Sequence, residues 1–304
     1  MNIDTPLLLQ AAAAAAAAQQ YPTAALYMVA TPIGNLADLT LRAIHVLSLV
    51  DAVACEDTRV TGQLLRHLGL DKPLIALHAH NEQSASQAVL ARLASGQRVA
   101  YASDAGTPAV SDPGAALVAL VAHAGHRVLP IPGASSAVAA ISVAGDTAAA
   151  GFNFNGFLPA KGQERRNALQ ALLAREGSQV LFEAPHRIEA LFAALAQAAP
   201  ERRLTVCREL TKQFEAVTTM PAAAAPAWLA ADANRLRGEF VLVLHAPAAA
   251  VRLADALPAH AERTLGLLLD ELPLKQAVAL AAAISGVARN SLYAQALLRK
   301  ADNG

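Results

Sequence analysis

The stretch Arg98–Leu117, RVAYASDAGTPAVSDPGAAL, decides the fold. Its apolar start, Arg98 to Ser103, is typical of a buried parallel strand. About ten residues follow before the next helix, predicted over Gly114–His123, although a strand and a helix are usually joined by only a few residues. Asp112 and Pro113 form a favourable N-cap and first-turn pair for that helix. A loop this long and this rich in Gly and Pro is unusual at the carboxyl end of a strand.

The same alternation of apolar runs and helical segments extends on both sides of this stretch. The predicted strands are LYMVA, AVACE, PLIAL, RVAYAS and RVLPI, and the helices lie near Asp38–Leu49, from Thr58, at Glu82–Ala94, at Gly114–His123 and from Ala134. Strands that alternate with helices predict a mostly parallel sheet covered on both faces.

The alternation pauses at the Gly-rich segment 142–162, which we interpret as a domain boundary. The runs QVLFEA, RLTVCRE, FEAVTT and EFVLVLH then predict a second α/β domain with a mixed sheet. An Ala- and Pro-rich linker leads to a small helical domain. The expected organisation is a flexible Ala-rich tail (1–24), an α/β domain (25–148), a second α/β domain (149–247) and a linker with a helix-turn-helix-like domain (248–304).

Composition narrows the class of protein. Hydrophobic residues make up 55% of the 304 residues, charged residues 16%, and the formal net charge is zero. A nucleic-acid partner therefore needs a local patch, and the N-terminal segment lacks the basic residues of a signal peptide. Cys55 and Cys207 are too few for a disulfide framework or a metal site, so we expect a cytoplasmic protein without metal or membrane partner.

Three loops combine Pro, which fixes φ, with Gly, which allows close approach of backbone N–H groups to a ligand. They are ATPIGNLAD, the loop of the opening stretch and PIPGASSAVAA. Thr31, Thr107, Ser135 and Ser136 add hydroxyl groups. Neither G-x-G-x-x-G nor a P-loop is present, so the common dinucleotide and triphosphate mechanisms are not supported. The loops predict a ligand with a ribose, an adenine edge and a carboxylate; ordinary tight turns are the alternative.

The longer motifs point to one family. VATPIGNLADLTLRA, CEDTRVTGQLL, HNEQ, SDAGTPAVSDPG, PGASSAVAA, GFLPAKGQERR, EAPHR, RELTKQFE and RGEFVLVL occur in order between about Leu26 and Leu298. The chain resembles the bacterial 16S rRNA cytidine 2′-O-methyltransferases of the tetrapyrrole (corrin/porphyrin) methylase superfamily. The resemblance implies two α/β domains, S-adenosylmethionine in the cleft between them, and a homodimer.

The resemblance also implies a set of cofactor-binding residues. In the first domain they are Thr31, Pro32, Gly34, Asp104, Ala105, Gly106, Thr107, Ser135 and Ser136. In the second domain they are Phe182, Glu183, Glu209, Leu210, Gly238 and Glu239.

Candidates for proton transfer and orientation lie in two short motifs. Glu56 and Arg59 belong to CEDTR, and Glu183 to FEAPHR. The alternative for the first motif is helix capping by Asp57 together with an ion pair. The sequence alone does not select the base.

Basic residues predict where RNA binds. They are Lys161, Arg165, Arg166, Arg187, Arg208 and Lys212, and phosphate contacts from them predict salt-sensitive binding. The alternative is a solvated charged face. The C-terminal helices, with Lys275, Arg289, Arg299 and Lys300, predict either a further rRNA contact or a structural or dimer-supporting bundle.

The predicted activity is S-adenosylmethionine-dependent 2′-O-methylation of a cytidine ribose in the decoding region of 16S rRNA, in the small ribosomal subunit. A methylase of small tetrapyrrole-type molecules, and a non-catalytic RNA-binding assembly factor, are the alternatives.

Overall fold

A computed structural model describes residues 4–78, 81–247 and 257–302 of the chain. Contacts between Cα atoms divide the chain into two compact units, Met1–Ala246 and Pro247–Gly304. The first unit contains both β-sheets, and the second contains helices.

The first sheet has five parallel strands in the order β3-β2-β4-β1-β5. The strands are β1 Ala25–Val29, β2 Ala52–Cys55, β3 Leu74–Ala76, β4 Val99–Ala102 and β5 Arg127–Ile131. The helices of this part are α1 Thr5–Ala16, α2 Leu41–Leu49, α3 Thr58–His67, α4 Glu82–Ala94, α5 Ala115–His123 and α6 Ser136–Ala144. The predicted parallel α/β arrangement is confirmed. β4, β1 and β5 are adjacent, so the three loops singled out in the sequence emerge side by side.

Helix starts follow local capping chemistry. Thr40, Asp57 and Ser135 accept hydrogen bonds from the backbone of the first turns of α2, α3 and α6. The predicted capping pair for α5 is wrong, because Gly114 occupies the N-cap with a φ of 124°. Asp112 therefore does not cap α5.

The N-terminal segment differs from the flexible tail that composition predicted. Residues 5–16 form α1, which starts at an Asp4 cap and packs on α2. Ala12 is fully buried in the core of the first sheet, together with Val46 and Leu65. Small alanine side chains allow close helix approach, so an Ala-rich segment here forms structure.

The second sheet is mixed, in the order β6-β7-β10-β8-β9. Its strands are β6 Phe152–Phe157, β7 Ser178–Glu183, β8 Arg203–Arg208, β9 Ala216–Pro221 and β10 Phe240–Leu244. Its helices are α7 Gly162–Leu173, α8 Pro185–Ala198 and α9 Ala225–Ala230. Only β6 and β7 pair in parallel. The predicted mixed sheet is confirmed.

β6 lies inside the segment that was predicted to be a boundary loop. Its aromatic and Asn residues alternate, and a bulge between Phe154 and Gly156 interrupts the pairing. Asn and Gly are depleted in strands, and they masked the alternation. α6 packs between the sheets, because Ala137 and Ala140 contact Val180 and Val243 in one buried cluster.

The second unit contains three helices, α10 Ala259–Glu271, α11 Leu274–Ser285 and α12 Arg289–Asp302. Leu265, Val278, Ala281 and Leu292 form its core. α11 ends at Gly286 in the left-handed conformation. Asn290 and Ser291 lie within the first turn of α12. No helix among the described residues is both long enough and apolar enough to cross a bilayer.

Candidate active site

The three loops at the carboxyl edge of the first sheet hold one another. Thr31 after β1 and Gly106 after β4 exchange two backbone hydrogen bonds, of 2.9 and 3.1 Å. The Thr31 hydroxyl donates to the Ser103 carbonyl at 3.0 Å, and the Thr107 hydroxyl donates to the Ala134 carbonyl after β5 at 2.9 Å. The hydrogen atoms of these hydroxyl groups therefore fix the loops to one another.

The long loop after β4 owes its path to Tyr101 and Gly114. The buried Tyr101 hydroxyl donates to the Pro113 carbonyl at 2.7 Å. A Cβ on Gly114 would lie 2.8 Å from the Tyr101 ring, and the φ of 124° itself favours glycine. The loop consequently folds back over the strand end and brings Ser111 and Asp112 to the second sheet.

A cavity of about 400 Å³ lies between the two sheets. The first sheet contributes loop residues, and the second contributes aromatic, aliphatic and carboxylate side chains from its strand ends. The lining residues are Ile33, Ala105, Ser111, Asp112, Ser136, Phe157, Phe182, Glu183, Ala184, Pro185, Cys207, Leu210, Glu239, Phe240 and Val241. This volume and mixture are typical of small-molecule sites.

Glu183 is the most buried carboxylate of the cavity wall, with a side chain that is 0% exposed. It forms ion pairs with Arg165 at 2.8 Å and Arg187 at 3.0 Å. Both arginines also donate to the Pro159 carbonyl, and Arg187 donates to the Leu158 carbonyl. This triad therefore ties the segment after β6 to the end of β7.

A second charged cluster lies at the rim. Lys212 Nζ contacts Glu209 and Glu239, each at 2.9 Å. Burial opposes ionisation of Glu209, but hydrogen bonds from the Glu239 N–H and from Lys212 outweigh it and lower the pKa of Glu209. Gly34 packs against this cluster, since its Cβ would lie 2.4 Å from Lys212 Cγ.

The carboxylates at the first sheet behave differently. Burial raises the pKa of Asp112, the nearby Asp104 raises it further, and a hydrogen bond with Ser103 only partly offsets this. Burial also raises the pKa of Glu56 and of Asp104. None of the described lysines or arginines forms an ion pair with Asp112, so it is the one cavity carboxylate in this part of the chain without a cation.

Comparison with known proteins gives the class of enzyme. The family model for Tetrapyrrole (Corrin/Porphyrin) Methylases matches residues 25–226, and a model described as the RsmI C-terminal HTH domain matches residues 255–300. The chain is 47% identical over 273 residues to Ribosomal RNA small subunit methyltransferase I of Escherichia coli O157:H7, covering 90% of this chain and 94% of the relative. Identity to the protein of the same name in Pseudomonas aeruginosa is 46%, covering 90% of this chain and 97% of that relative.

The chain belongs to the tetrapyrrole methylase family. A solved structure, uroporphyrin-III-C-methyltransferase from Thermus thermophilus, shares the fold with a TM-score of 0.53 at 23% identity, and covers 73% of this chain and 94% of that chain.

S-adenosylmethionine is the methyl donor of this methylase family. The cavity fits it in chemistry. Phe157, Phe182 and Leu210 supply apolar surface, while Glu239 supplies a carboxylate that complements an ammonium group. Gly106 has a φ of 85°, and a Cβ there would lie 3.3 Å from Ile33, so this loop position favours glycine.

The cavity between the two sheets, which we call the methylase cavity after the family, is lined by part of the predicted cofactor-binding set. Ala105, Ser136, Phe182, Glu183, Leu210 and Glu239 line it. Thr107 and Ser135 line a neighbouring apolar depression, and Thr31, Pro32 and Asp104 line a separate small one. Gly34 and Gly238 instead give room to the Lys212 and Glu209 side chains.

The predicted catalytic residues of CEDTR do not line the methylase cavity. Arg59 forms an ion pair with Asp57, which caps α3, so the contacts of the capping and ion-pair alternative are present, while a catalytic role of Glu56 and Arg59 stays a prediction. Glu56 is half-buried at the end of β2 and lies close enough to Asp104 and Asp112 to feel their charge. Among the described residues no group of three or more His, Cys, Asp or Glu side chains is placed to hold a metal ion.

Some of the predicted RNA-binding residues are held by contacts inside the protein, and others lie on an exposed surface. Arg165, Arg187 and Lys212 are held in the ion pairs above, and Arg208 donates to the carbonyls of Asn234 and Arg237. Arg166 contacts Gln163 on an exposed helix face, and Lys161 is exposed before α7. The spacing of basic residues in the sequence could not show which of them form ion pairs with the buried Glu183.

Sequence reasoning missed Phe157, Ser111 and Asp112 as cavity residues. Phe157 lies in a strand that was predicted to be loop, and its ring meets that of Phe182 edge-on at 5.6 Å. Asp112 was assigned to a helix cap. The long SDAGTPAVSDPG loop carried the only signal for the last two.

Proposed function

We propose that this chain transfers a methyl group from S-adenosylmethionine to the ribose 2′-hydroxyl of a cytidine in 16S rRNA of the small ribosomal subunit. The observation that carries the proposal is a cavity between two sheets that holds a half-buried carboxylate, Asp112, opposite an aromatic wall, with no ion pair to Asp112 from any described lysine or arginine. The relatives named Ribosomal RNA small subunit methyltransferase I support the class of substrate.

The cofactor-holding residues are those of the cavity walls. Phe157 and Phe182 supply aromatic surface, Ala105 supplies backbone groups, and Ser136 supplies a hydroxyl at the start of α6. When bound, S-adenosylmethionine supplies an electrophilic methyl group on a positively charged sulfur. The work left to the protein is to orient the ribose hydroxyl and to accept its proton.

We assign proton acceptance to Asp112. Of the cavity carboxylates, Glu183 is held in ion pairs by two arginines and Glu239 in one by Lys212, whereas Asp112 has no cationic partner among the described residues. Burial raises the pKa of Asp112, and a raised pKa makes a carboxylate a stronger proton acceptor. General-base catalysis is typically worth about 10²–10⁴ in rate, whereas orientation of two bound reactants is worth more.

We further propose a cytoplasmic homodimer. Val110, Val138 and Phe152 expose 46–55% of their surface around one apolar depression in the first unit. Exposed apolar residues grouped in this way are typical of protein interfaces. Action on ribosomal RNA and the buried free thiols of Cys55 and Cys207 are consistent with a reducing cytoplasm.

The test is transfer of labelled methyl from S-adenosylmethionine to small ribosomal subunits and to naked 16S rRNA, with the product mapped. We expect 2′-O-methylcytidine at a single position. Absence of label in both RNAs with tight cofactor binding would support a small-molecule methylase instead. Absence of both label and binding would support an assembly factor. Analytical ultracentrifugation of the same preparation tests the dimer.

A further inference from the structure

The loop between β8 and β9 displays an aromatic side chain to solvent. Phe214 is 70% exposed, more than any other large apolar side chain in the part of the chain that the structure describes. An aromatic ring exposed at a loop tip offers a flat apolar face on which a planar ligand can stack.

The loop has an unusual backbone that several polar contacts hold in place. Glu209 and Thr211 have positive φ angles of 52° and 66°, and a β-branched residue rarely adopts this conformation. The Thr211 N–H donates to the Glu215 carboxylate, and Lys212 joins Glu209 to Glu239. Strain of this kind persists where surrounding contacts enforce it, and it is typical of functional sites.

Arg208 links the backbone of the Phe214 loop to the segment that carries Arg237. Arg208 donates to the Phe214 carbonyl at 3.4 Å and to the Arg237 carbonyl at 2.6 Å, so it links the two segments. Arg237 itself is exposed, and the described residues give its guanidinium no ion pair or hydrogen bond. We call Phe214 and Arg237 the rim pair.

The rim pair adjoins the methylase cavity. Leu210 lies in the same loop as Phe214 and lines the cavity, and Glu239 follows Arg237 closely and also lines it. The Glu209 N–H donates to the Glu239 carbonyl at 3.0 Å, which joins the two segments at the cavity mouth.

We propose that the rim pair binds single-stranded RNA next to the methylated nucleotide, with a base stacked on Phe214 and a phosphate contacted by Arg237. This inference rests on the proposed function and names residues that select its substrate. Proteins recognise unpaired RNA by stacking bases on aromatic rings and by contacting phosphates with arginine. Continuity with the cavity favours RNA over a protein partner, because the ribose must enter there.

The experiment measures KM and kcat for methyl transfer to small ribosomal subunits that lack the modification. Variants are Phe214→Ala, Phe214→Leu, Phe214→Trp and Arg237→Glu. Arg127→Glu is the control, since Arg127 is an exposed arginine at the amino end of β5, on the opposite edge of the first sheet. Fluorescence anisotropy with a labelled single-stranded oligoribonucleotide gives affinity independently of turnover.

We expect Phe214→Ala and Phe214→Leu to raise KM and the RNA Kd about 5- to 100-fold, with saturated kcat and S-adenosylmethionine affinity unchanged. Phe214→Trp should keep RNA affinity close to that of the wild type, because an aromatic face is retained. Arg237→Glu should weaken binding and lower the salt slope by about one, whereas Arg127→Glu should do neither.

Wild-type affinity in the Phe214→Leu variant would overturn the proposal, because an apolar contact without an aromatic face would then suffice. A change of sedimentation in Phe214→Ala would assign the loop to a protein interface instead. Failure of the wild-type protein to methylate RNA would remove the proposed function, while the anisotropy arm would still decide whether the rim pair binds RNA.

Discussion

The two walls of the cavity treat carboxylates in opposite ways. On the second sheet, Glu183 is enclosed by two arginines, and Glu209 and Glu239 share Lys212. On the first sheet, Asp112 lines the cavity and Glu56 lies outside the lining; both are partly buried near other acids, and burial raises the pKa of each. In the second-sheet wall, ion pairs with Lys and Arg hold the carboxylates in place. In the first-sheet wall, the surroundings of Asp112 disfavour its charged form.

This difference separates structural from chemical roles. A carboxylate that is neutralised by cations is a weak base, whereas one that is buried without a cation binds a proton more readily. Burial disfavours the charged form of Asp112, and a carboxylate placed in this way in a cavity is typical of functional sites. Four predictions test this comparison.

The largest effect is expected from Asp112→Asn. Loss of the proton acceptor should reduce kcat about 10²- to 10⁴-fold, with S-adenosylmethionine affinity retained. Single-turnover methyl transfer and calorimetric cofactor titration measure the two quantities. Asp71→Asn, at an exposed position away from the cavity, should leave kcat unchanged. Undiminished kcat in Asp112→Asn would transfer the role to another group or leave orientation as the sole source of catalysis.

The fold was predictable because its signals are local. Apolar runs such as Val99–Ala102 are fully buried strands, and Asp57 caps α3 at the predicted residue. β6 and α1 were missed for the same reason. Asn and Gly hid the alternation in one, and a uniform run of alanine gave no periodicity in the other.

Glu183→Gln tests the opposite wall. It leaves Arg165 and Arg187 without their carboxylate, and breaking a buried ion pair costs about 3–5 kcal/mol. Because the arginine side chains are 14% and 20% exposed, water compensates in part, and we expect a loss of about 2–4 kcal/mol in the free energy of unfolding. Urea denaturation measures this.

The control for the triad is Glu189→Gln, on the exposed face of α8, which should leave stability within about 0.5 kcal/mol of wild type. The pH dependence of kcat separates the roles further. A positioning role for Glu183 leaves the pH profile in place even where KM rises. A profile that loses its acid limb in Glu183→Gln would instead make Glu183 the base.

The site was harder to predict than the fold because its residues come together through tertiary contacts. The sequence marked the loops after β1, β4 and β5, and those loops do meet. It did not show that the hydroxyls of Thr31 and Thr107 donate hydrogen bonds to backbone carbonyls. Nor did it show that Glu183 forms ion pairs with Arg165 and Arg187, which were predicted to contact RNA. Partners distant in sequence decide such roles.

Gly34→Ala tests the contact between the walls. The added methyl would lie 2.4 Å from Lys212 Cγ and 3.1 Å from the Leu210 carbonyl. Overpacking of this kind costs about 1–3 kcal/mol, and displacement of Leu210 should weaken cofactor binding as well. Thermal unfolding and cofactor titration report both. Gly151→Ala, where a Cβ meets nothing within 4 Å, should be nearly neutral. Equal stability and cofactor affinity in the two variants would mean that the Lys212 side chain moves aside at no cost.

The smallest effect concerns stability in Asp112→Asn, and its sign is opposite to that of the loss of activity. Burial raises the pKa of Asp112 in the folded protein, so the folded state holds this proton more tightly than the unfolded state. Stability is therefore fully present at low pH and is lost as pH rises from the ordinary carboxyl pKa through the raised one. The asparagine variant avoids this loss. Its urea midpoint should exceed that of wild type at pH 7, and the difference should vanish below the ordinary carboxyl pKa. A lower midpoint at pH 7 would mean that the Asp112 carboxylate stabilises its loop, and the two walls would then differ less than their charges indicate.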